Sequence, residues 1–277
     1  MEVSTHATWA NDAPATPPKA LYSDLDGTLL GPGGSLFSTV DGGSTARAAD
    51  ALLALREAGV ELVLMSGRTR RGLHEAARVL GASAYVAELG ALVVLEDGEV
   101  LENRGAFRGS GSPVEAIRRS GAGALLLERF AGRLEPVAPW TETSMMFQGL
   151  ADPAEAEAAL AEAGFGWLRF HDNGLLRRVL PELDVPEVRA YHLLPRGVTK
   201  ASGVRLHREH RGLAKHETAA VGDSLADLEV AAEVGHFFLV ANGRAAIGSV
   251  PLPPNARVTQ DAHGEGFAEA VRFLLGR

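Results

Sequence analysis

Short apolar runs that end in a polar residue mark both ends of the chain. Three have the same form: "ALYSD" at 20–24, "VELVLMSG" at 60–67 and "TAAVGD" at 218–223. Such runs, bounded by turn residues and separated by helices, are typical of buried parallel strands. The pattern predicts helices at Ala48 to Glu57 and at Thr69 to Leu80, where apolar residues recur at helical spacing. We therefore expect a doubly wound, mostly parallel α/β sheet that binds its ligand at the carboxyl ends of the strands.

The middle of the chain follows a different pattern. "ALVVLEDGEVLEN" at 91–103 predicts a hairpin around an Asp-Gly turn. "SPVE" at Ser112 and "DPAE" at Asp152 are typical helix starts. "WLRFHDNG" at 167–174 and "VRAYHLL" at 188–194 predict further strands. We expect an α+β cap domain at 91–186, inserted between the two halves, 19–90 and 187–277, of a Rossmann-like core.

Composition narrows the possible partners. The 277 residues carry a net charge of −8 and include no cysteine. This charge argues against nucleic acid as the main partner, and the missing cysteines exclude disulfides and thiolate metal sites. No apolar run approaches the roughly 18 residues that a membrane-spanning helix needs. Residues 1–18 predict a flexible tail without signal-peptide features. We expect a soluble cytoplasmic protein, monomer or homodimer, with no membrane partner.

The first candidate for chemistry is "DLDGT", which follows the first predicted strand. Asp24 and Asp26 lie two residues apart on extended chain, so their carboxylates project to the same side. Gly27 and Thr28 allow a tight turn whose backbone amides suit a phosphate or oxyanion. A polar Asp-Gly turn without chemistry would have the same residues.

Two further segments place polar residues at predicted strand ends or helix starts. "SGR" brings Ser66, Gly67 and Arg68 to the end of the second strand, where Ser66 would equally suit the next helix as its cap. "GVTK" brings Lys200 to a helix start capped by Thr199. A lysine there is electrostatically unfavourable unless it faces an anion, although most such lysines are exposed to solvent.

The last segment is "GDSLAD" at 222–227. S-x-x-D before a helix is a capping pattern, so we expect Ser224 to cap the helix with Asp227 as its partner. Asp223 ends an apolar strand and has no evident structural task. "GDSL" also occurs in a family of serine esterases, but the D-x-x-H that they need is absent. G-x-S-x-G, G-x-G-x-x-G and H-E-x-x-H are absent too, which excludes other hydrolase, dinucleotide and metalloprotease interpretations.

These four segments, in this order, resemble the four motifs of the haloacid dehalogenase-like hydrolase superfamily. The insert between the second and third resembles the large α/β cap of its Cof-like group, which includes sugar phosphatases and mannosyl-3-phosphoglycerate phosphatases. Two positions depart from that group. Ala226 stands where an Asn is usual in the last motif, and Leu89 stands where Asn-Gly often marks the crossing from core to cap.

The resemblance implies a Mg²⁺-dependent phosphatase acting on a small phosphorylated metabolite, such as a sugar phosphate or a glycosyl-phosphoglycerate. It makes Asp24 the nucleophile and Asp26 the general acid and base. The metal ligands that it implies are Asp24, the Asp26 backbone carbonyl and Asp223. The phosphate-binding groups that it implies are Ser66, Gly67 and Lys200. Asp227 would lie behind these groups and orient Lys200 or a metal-bound water.

Substrate contacts are expected from polar residues around this centre. The core candidates are Arg68 and Asn242, the latter in "VANG". The cap candidates, which could meet a sugar or a carboxylate, are Arg169, His171, Arg177 and His192. Two alternatives stay open beside the phosphatase: a sugar phosphomutase with the same nucleophile, and a catalytically silent binding protein with the same fold.

Overall fold

The computed structural model describes residues 14–137, 141–176 and 178–277. Residues 1–13 of the predicted tail and Arg177 lie outside the described residues. The strands, numbered along the described chain, are β1 (Ala20–Asp24), β2 (Glu61–Met65), β3 (Ala84–Ala87), β4 (Leu92–Val94), β5 (Val100–Glu102), β6 (Leu134–Pro136), β7 (Met145–Gly149), β8 (Leu168–Leu176), β9 (Val188–Pro195), β10 (Thr218–Gly222), β11 (His236–Leu239) and β12 (Ala256–Val258). The helices are α1 (Arg47–Glu57), α2 (Arg70–Leu80), α3 (Pro113–Ser120), α4 (Ala122–Arg129), α5 (Pro153–Glu162), α6 (Lys200–His210), α7 (Leu225–Leu228), α8 (Ala241–Ile247) and α9 (His263–Leu274).

A large sheet forms the core. Among the described residues its strand order is β12-β11-β10-β1-β2-β3-β4-β5, and the pairs from β12 to β3 are parallel. All five residues of β1 and of β10 are buried, as expected for central strands covered on both faces. The doubly wound α/β fold predicted from the apolar runs is therefore confirmed.

Helix α2 illustrates how local sequence sets the elements of this core. The Thr69 hydroxyl accepts a hydrogen bond from the Gly72 amide at 3.3 Å and so caps the helix start. Leu73 and Ala77, four residues apart, bury the inner face of the helix. Gly81 ends it in the left-handed conformation, with φ of 72°. The helix thus ends at Leu80, as the sequence predicts.

A second, smaller sheet has the order β6-β7-β9-β8 and is antiparallel. The sheets divide the chain differently from the predicted boundaries at 91 and 186. The hairpin at 91–103 extends the large sheet, since β4 pairs with β3. Strand β9 belongs to the small sheet, although it was expected in the core. The sequence patterns at 91–103 and at 188–194 identify strands correctly, but they do not determine which strand each one pairs with. We use "cap" below for residues 103–199.

Apolar side chains pack on both faces of the large sheet and, separately, inside the cap. Leu21 and Phe238 lie in one core layer, and Tyr22 and Phe237 lie in the layer on the opposite face. The cap has its own cluster, in which the rings of Phe170 and Tyr191 stack with centroids 4.8 Å apart. No helix among the described residues is both long and apolar enough to cross a membrane.

A buried histidine joins α6 to the central strand and predicts acid sensitivity. The Tyr22 hydroxyl lies 2.9 Å from His207 Nδ1, and burial, helped by the charge of Arg211, lowers the pKa of His207 to about 4. The unfolded chain takes up this proton near pH 6.5, so stability present above that pH is lost as the pH falls toward 4. Between pH 7 and pH 4, the free energy of unfolding of the native chain should fall by about 2–3 kcal/mol more than that of His207→Gln.

Urea unfolding at the two pH values measures this difference. His216→Gln is the matched control, because His216 is exposed and is not in contact with His207 or Tyr22. Equal acid losses in the native chain and in His207→Gln would contradict the prediction.

Candidate active site

Three strands deliver polar residues to one edge of the large sheet. Strand β1 is central, and its register pairs Ser23 with Val221 of β10 and Asp24 with Met65 of β2. Asp24 therefore lies at the strand end, beside the residues that directly follow the two neighbouring strands. These following residues are Asp223 and Ser66. Two of these strands each bring a carboxylate to this edge and the third brings a hydroxyl, as the sequence predicts for a ligand site.

Lys200 links two of the carboxylates. Thr199 caps α6 through the hydrogen bond from the Ser202 amide to its hydroxyl, at 3.0 Å, and so fixes the first turn that carries Lys200. The Lys200 side chain is only 6% exposed. Its Nζ lies 2.6 Å from Asp24 Oδ1 and 2.7 Å from Asp227 Oδ1. The lysine thus faces anions in the core, which offsets its unfavourable place at a helix start.

Asp227 and Ser224 cap each other at the start of α7. The Asp227 amide donates to Ser224 Oγ at 3.2 Å, and Asp227 Oδ2 accepts from the Ser224 amide at 3.0 Å. The helix cap predicted for Ser224 is confirmed. The Asp223 amide also donates to Asp227 Oδ2, at 3.3 Å. Because both oxygens of Asp227 have partners, this carboxylate holds Lys200 and the turn after β10 in place.

The site has an excess of buried negative charge. Asp24, Asp223 and Asp227 each offer an oxygen, and these atoms lie within 4.8 Å of one another. Burial raises the pKa of Asp24 well above its usual range, Lys200 opposes this rise, and the other two carboxylates add to it. Burial, with Asp227, raises the pKa of Asp223 to about 7. Burial alone would lower the pKa of Lys200, but Asp227 and Asp24 raise it, so the lysine stays protonated.

A divalent cation would relieve this repulsion. Lys200 is the cationic partner of these carboxylates among the described residues, through Asp24 Oδ1 and Asp227 Oδ1. Clustered carboxylate oxygens are the hard donors that Mg²⁺ prefers. The donor set at this edge of the sheet therefore fits Mg²⁺.

Asp26 and Arg68 form an exposed ion pair at the mouth of the site. Arg68 Nε donates to Asp26 Oδ2 at 2.7 Å, and Nη2 donates to Oδ1 at 2.6 Å. About half of the Asp26 side chain is exposed. Arg68, expected among the substrate contacts, holds the second aspartate of "DLDGT" with both arms of its guanidinium.

The loop after β2 lies beneath a residue of the cap. Ser66 is buried, and its Oγ accepts from the Arg68 amide at 3.2 Å. A Cβ added at Gly67 would lie 2.6 Å from Asn173 Nδ2, so the Asn173 carboxamide packs directly against this glycine. The cap strand β8 therefore covers this loop.

The same sequence segments match a known family. Residues 21–107 and 187–270, more than half of the chain, match the model of the haloacid dehalogenase-like hydrolases. The chain belongs to this family. The unmatched stretch between the two segments is most of the cap.

Relatives and solved structures agree with this assignment. The hydrolase is 29% identical over 261 residues to a phosphoglycolate phosphatase of Methanoculleus marisnigri, covering 92% of this chain and 95% of that protein. To a phosphoglycolate phosphatase of Methanothermobacter thermautotrophicus it is 37% identical over 87 residues, which are 31% of this chain and 38% of that protein. The fold is similar to that of sucrose-phosphatase from Synechocystis, with a TM-score of 0.65, 16% identity, and 94% and 98% coverage. The chain is a phosphatase of this family.

Asn242, expected near the phosphate, has structural partners in the hydrolase. Its Nδ2 donates to the Gly27 carbonyl at 2.8 Å, and its Oδ1 accepts from the His263 amide at 2.9 Å. His263 Nδ1 lies 2.8 Å from the same carbonyl. These contacts fix the turn after "DLD" from the side of α8 and α9. Asn242 thus acts on the backbone of the turn in this structure.

Of the cap residues expected to contact the substrate, some lie at the site and one lies in the interior of the cap. Arg169 and His171 line a narrow cleft together with Lys200 and Ala226. His192 was also expected at the substrate, but it is fully buried, and its Nδ1 lies 3.1 Å from Ser144 Oγ. His192 lies on β9 beside β8, but its side chain is covered and has no exposed surface to offer a substrate.

Two residues near the site escaped the sequence analysis. Asn173 follows Arg169 and His171 at a spacing of two in "LRFHDN", at the point where the register of β8 against β9 shifts. Glu88, at the crossing to the cap, is fully buried and accepts from the Glu142 and Thr143 amides of the cap at 3.0 and 2.9 Å. Burial raises its pKa. No sequence signal marks Glu88, because its partners lie more than 50 residues away.

Gly27 is expected to be essential for the position of Asp223. Its φ is 89°, and an added Cβ would lie 2.3 Å from Asp223 Oδ2. Gly27→Ala should displace this carboxylate and lower kcat/KM by about 10²-fold, since small misplacements in an active site have effects of this size. Gly33→Ala is the matched control, because Gly33 has a φ of 74° and open space around it. Steady-state phosphate release by both variants measures the difference, and similar losses would contradict the role of Gly27.

Proposed function

We propose that the protein hydrolyses a small phosphorylated metabolite with Mg²⁺, through an aspartyl-phosphate on Asp24. The observation that carries the proposal is the setting of Asp24. It ends the central strand, and Lys200 holds its Oδ1 at 2.6 Å, so the carboxylate is fixed in direction. A carboxylate oriented in this way suits in-line attack on phosphorus.

In the first step, Asp24 Oδ2 bonds to phosphorus while the bond from phosphorus to the ester oxygen breaks. Asp26 donates a proton to the departing oxygen. Asp26 stands at the mouth, paired with Arg68, and a negatively charged phosphoryl group would compete for that guanidinium and release the aspartate. Ser66 Oγ, the Gly67 amide and Lys200 stabilise the phosphoryl oxygens as charge spreads over them.

In the second step, a water molecule attacks phosphorus from the side of Asp26. Asp26 takes the proton of this water, the bond from phosphorus to Asp24 breaks, and phosphate leaves. Asp24, Asp223 and the Asp26 backbone carbonyl would hold Mg²⁺, which supplies the positive charge that offsets repulsion between carboxylate and phosphoryl group. Asp227 keeps Lys200 in place throughout.

Phosphate release tests this function. The purified protein is assayed with phosphoglycolate, sugar phosphates, glycosyl-phosphoglycerates and nucleotides, with Mg²⁺ and with a chelator. We expect release from at least one small phosphate monoester, dependent on Mg²⁺. Release without a bisphosphate activator would exclude a phosphomutase. No release from any substrate would favour a silent binding protein and contradict the proposal.

A further inference from the structure

A third strand brings a carboxylate to the catalytic edge of the large sheet. Strands β1, β2 and β3 are parallel neighbours. Asp24 is the last residue of β1, Ser66 directly follows β2, and Glu88 directly follows β3. Glu88 is fully buried and has no role in the proposed reaction. A carboxylate buried at this edge needs partners that offset the cost of its burial.

Glu88 begins a strained turn. Its φ is 49° and that of Leu89 is 59°, in the left-handed region that residues with a Cβ rarely adopt. Two such residues in succession keep this conformation only where the surroundings hold them, and strain of this kind is concentrated at functional sites. We call residues 88–90 the crossing turn. Its contacts on each side show what holds it.

The backbone of the crossing turn binds the loop that follows β2. The Glu88 amide donates to the Arg68 carbonyl at 3.0 Å. The Leu89 amide donates to the Ser66 carbonyl at 3.1 Å. We call residues 66–68 the phosphate loop, after the role proposed for it above. Because the two hydrogen bonds fasten both ends of the phosphate loop, its geometry depends on the crossing turn.

Another side of the crossing turn touches the start of α6. A Cβ added at Gly90 would lie 1.9 Å from the Thr199 carbonyl oxygen, and Leu89 lines the narrow cleft beside Lys200. Asn103 Nδ2 donates to the Gly90 carbonyl at 2.9 Å. The crossing turn therefore lies between the two elements that are proposed to hold the phosphoryl oxygens.

The Glu88 side chain binds the cap. Its Oε1 accepts from the Glu142 amide at 3.0 Å, and its Oε2 accepts from the Thr143 amide at 2.9 Å. The Thr143 hydroxyl donates to the same Oε2. Burial raises the pKa of Glu88, and these hydrogen bonds oppose the rise. Since all three groups are donors, this position requires a side chain that only accepts.

A second contact joins the same part of the cap to the core. Glu142 Oε1 lies 2.8 Å from Arg70 Nε, and Arg70 is the first residue of α2, directly after the phosphate loop and Thr69. Both side chains are exposed, so this ion pair adds little stability of its own. It indicates that the cap residues bound by Glu88 lie close to the connection between β2 and α2.

We propose that Glu88 is a positioning residue that couples the cap to the phosphate loop. With its carboxylate bound by Glu142 and Thr143, the crossing turn keeps its strained conformation. The turn then holds both ends of the phosphate loop, so that the Gly67 amide stays aligned with a phosphoryl group at Asp24. Without the cap contact, the turn relaxes and this alignment is lost. The inference rests on the proposed role of the phosphate loop and gives the cap a part in the chemical step.

Glu88→Gln tests this coupling with a nearly isosteric change. The carboxamide places an N–H group against an amide of the cap, so one hydrogen bond is lost and a buried donor is left unpaired. We expect kcat/KM to fall on the order of 10- to 100-fold, because small misplacements in an active site have effects of this size. Inorganic phosphate binds where the phosphoryl group lies, so its inhibition constant should rise in parallel.

Hydrogen exchange, followed by mass spectrometry, gives a measurement that does not require turnover. In Glu88→Gln, exchange should be faster in the peptides that contain the phosphate loop and residues 142–143. It should be unchanged in a peptide of β10 and α7, residues 218–228, which reaches the same edge of the sheet without contacting Glu88. A general loss of stability would instead accelerate exchange in all three peptides.

Glu61→Gln is the matched control. Glu61 is a partly buried carboxylate at the other end of β2, where its Oε1 accepts from Ser83 Oγ at 3.1 Å. The same chemical change there can lower stability, but it should leave kcat/KM, phosphate inhibition and exchange in the phosphate loop unchanged.

Thr143→Val approaches the same contact from the cap and serves where Glu88→Gln does not fold. It removes one donor to Glu88 and should lower kcat/KM, and its effect should be smaller when Glu88→Gln is already present. Unchanged phosphate inhibition in Glu88→Gln, or equally faster exchange in all peptides, would overturn the inference. If the native enzyme releases no phosphate from any monoester, the proposed function fails, whereas the exchange pattern still decides whether Glu88 couples cap and loop.

Discussion

Replacing Asp24 by asparagine is expected to abolish phosphate release while leaving the fold intact. The carboxamide is not a nucleophile, so the loss in kcat should reach at least about 10³-fold. The fold should survive because the new carboxamide still offers an oxygen to Lys200 and removes one charge from a cluster of three carboxylates. The measurement is phosphate release with Mg²⁺, together with thermal unfolding of the same preparation.

The control for this variant is Asp184→Asn, which makes the same chemical change at an exposed position of the cap. It should leave both activity and stability unchanged within error. Activity of Asp24→Asn within tenfold of the native enzyme would rule out Asp24 as the nucleophile. A large loss of stability in Asp24→Asn would instead show that the carboxylate is structural.

Replacing Lys200 by methionine is expected to cause the largest change in stability. Lys200 is buried between Asp24 and Asp227, so the variant leaves two buried carboxylates without the cation that contacts both. Breaking a buried ion pair in this way costs about 3–5 kcal/mol of unfolding free energy. Urea unfolding with a chelator present measures the loss, because the chelator prevents a metal from replacing the lysine.

Two comparisons make this result specific. Lys200→Met combined with Asp227→Asn removes one of the unpaired charges, so it should recover about 1–3 kcal/mol. Lys215→Met removes a half-exposed lysine from Glu233, which keeps its contact with Arg208, so the change should cost no more than about 1 kcal/mol. If Lys200→Met costs no more than Lys215→Met, the buried charge cluster does not have the energetic role assigned to it.

The sequence predicts those features of the fold that depend on neighbours along the chain. The apolar runs before Asp24 and Asp223 become buried strands, and Ser224 and Thr199 cap helices as their spacing indicates. The convergence of strand ends on one edge follows from the parallel topology, which the alternation of strands and helices indicates. These features need no information about distant contacts.

Features that depend on long-range contacts were not predictable in the same way. The hairpin at 91–103 has the pattern of a strand pair, but only packing decides that β4 joins β3. The side chain of Asn242 is of a type that often contacts a ligand, but its carboxamide forms hydrogen bonds with the Gly27 carbonyl and the His263 amide. Asn173 reaches Gly67 only because the cap folds over the core.

The most direct test of the account is to locate the phosphoryl group on the enzyme during turnover. The enzyme is mixed with Mg²⁺ and the best substrate, quenched in acid within one turnover, digested and analysed by peptide mass spectrometry. We expect the phosphoryl group on the peptide that contains Asp24, and its absence from Asp24→Asn treated in the same way. A native enzyme that turns over substrate with the phosphoryl group on another residue, or on none, would contradict the account.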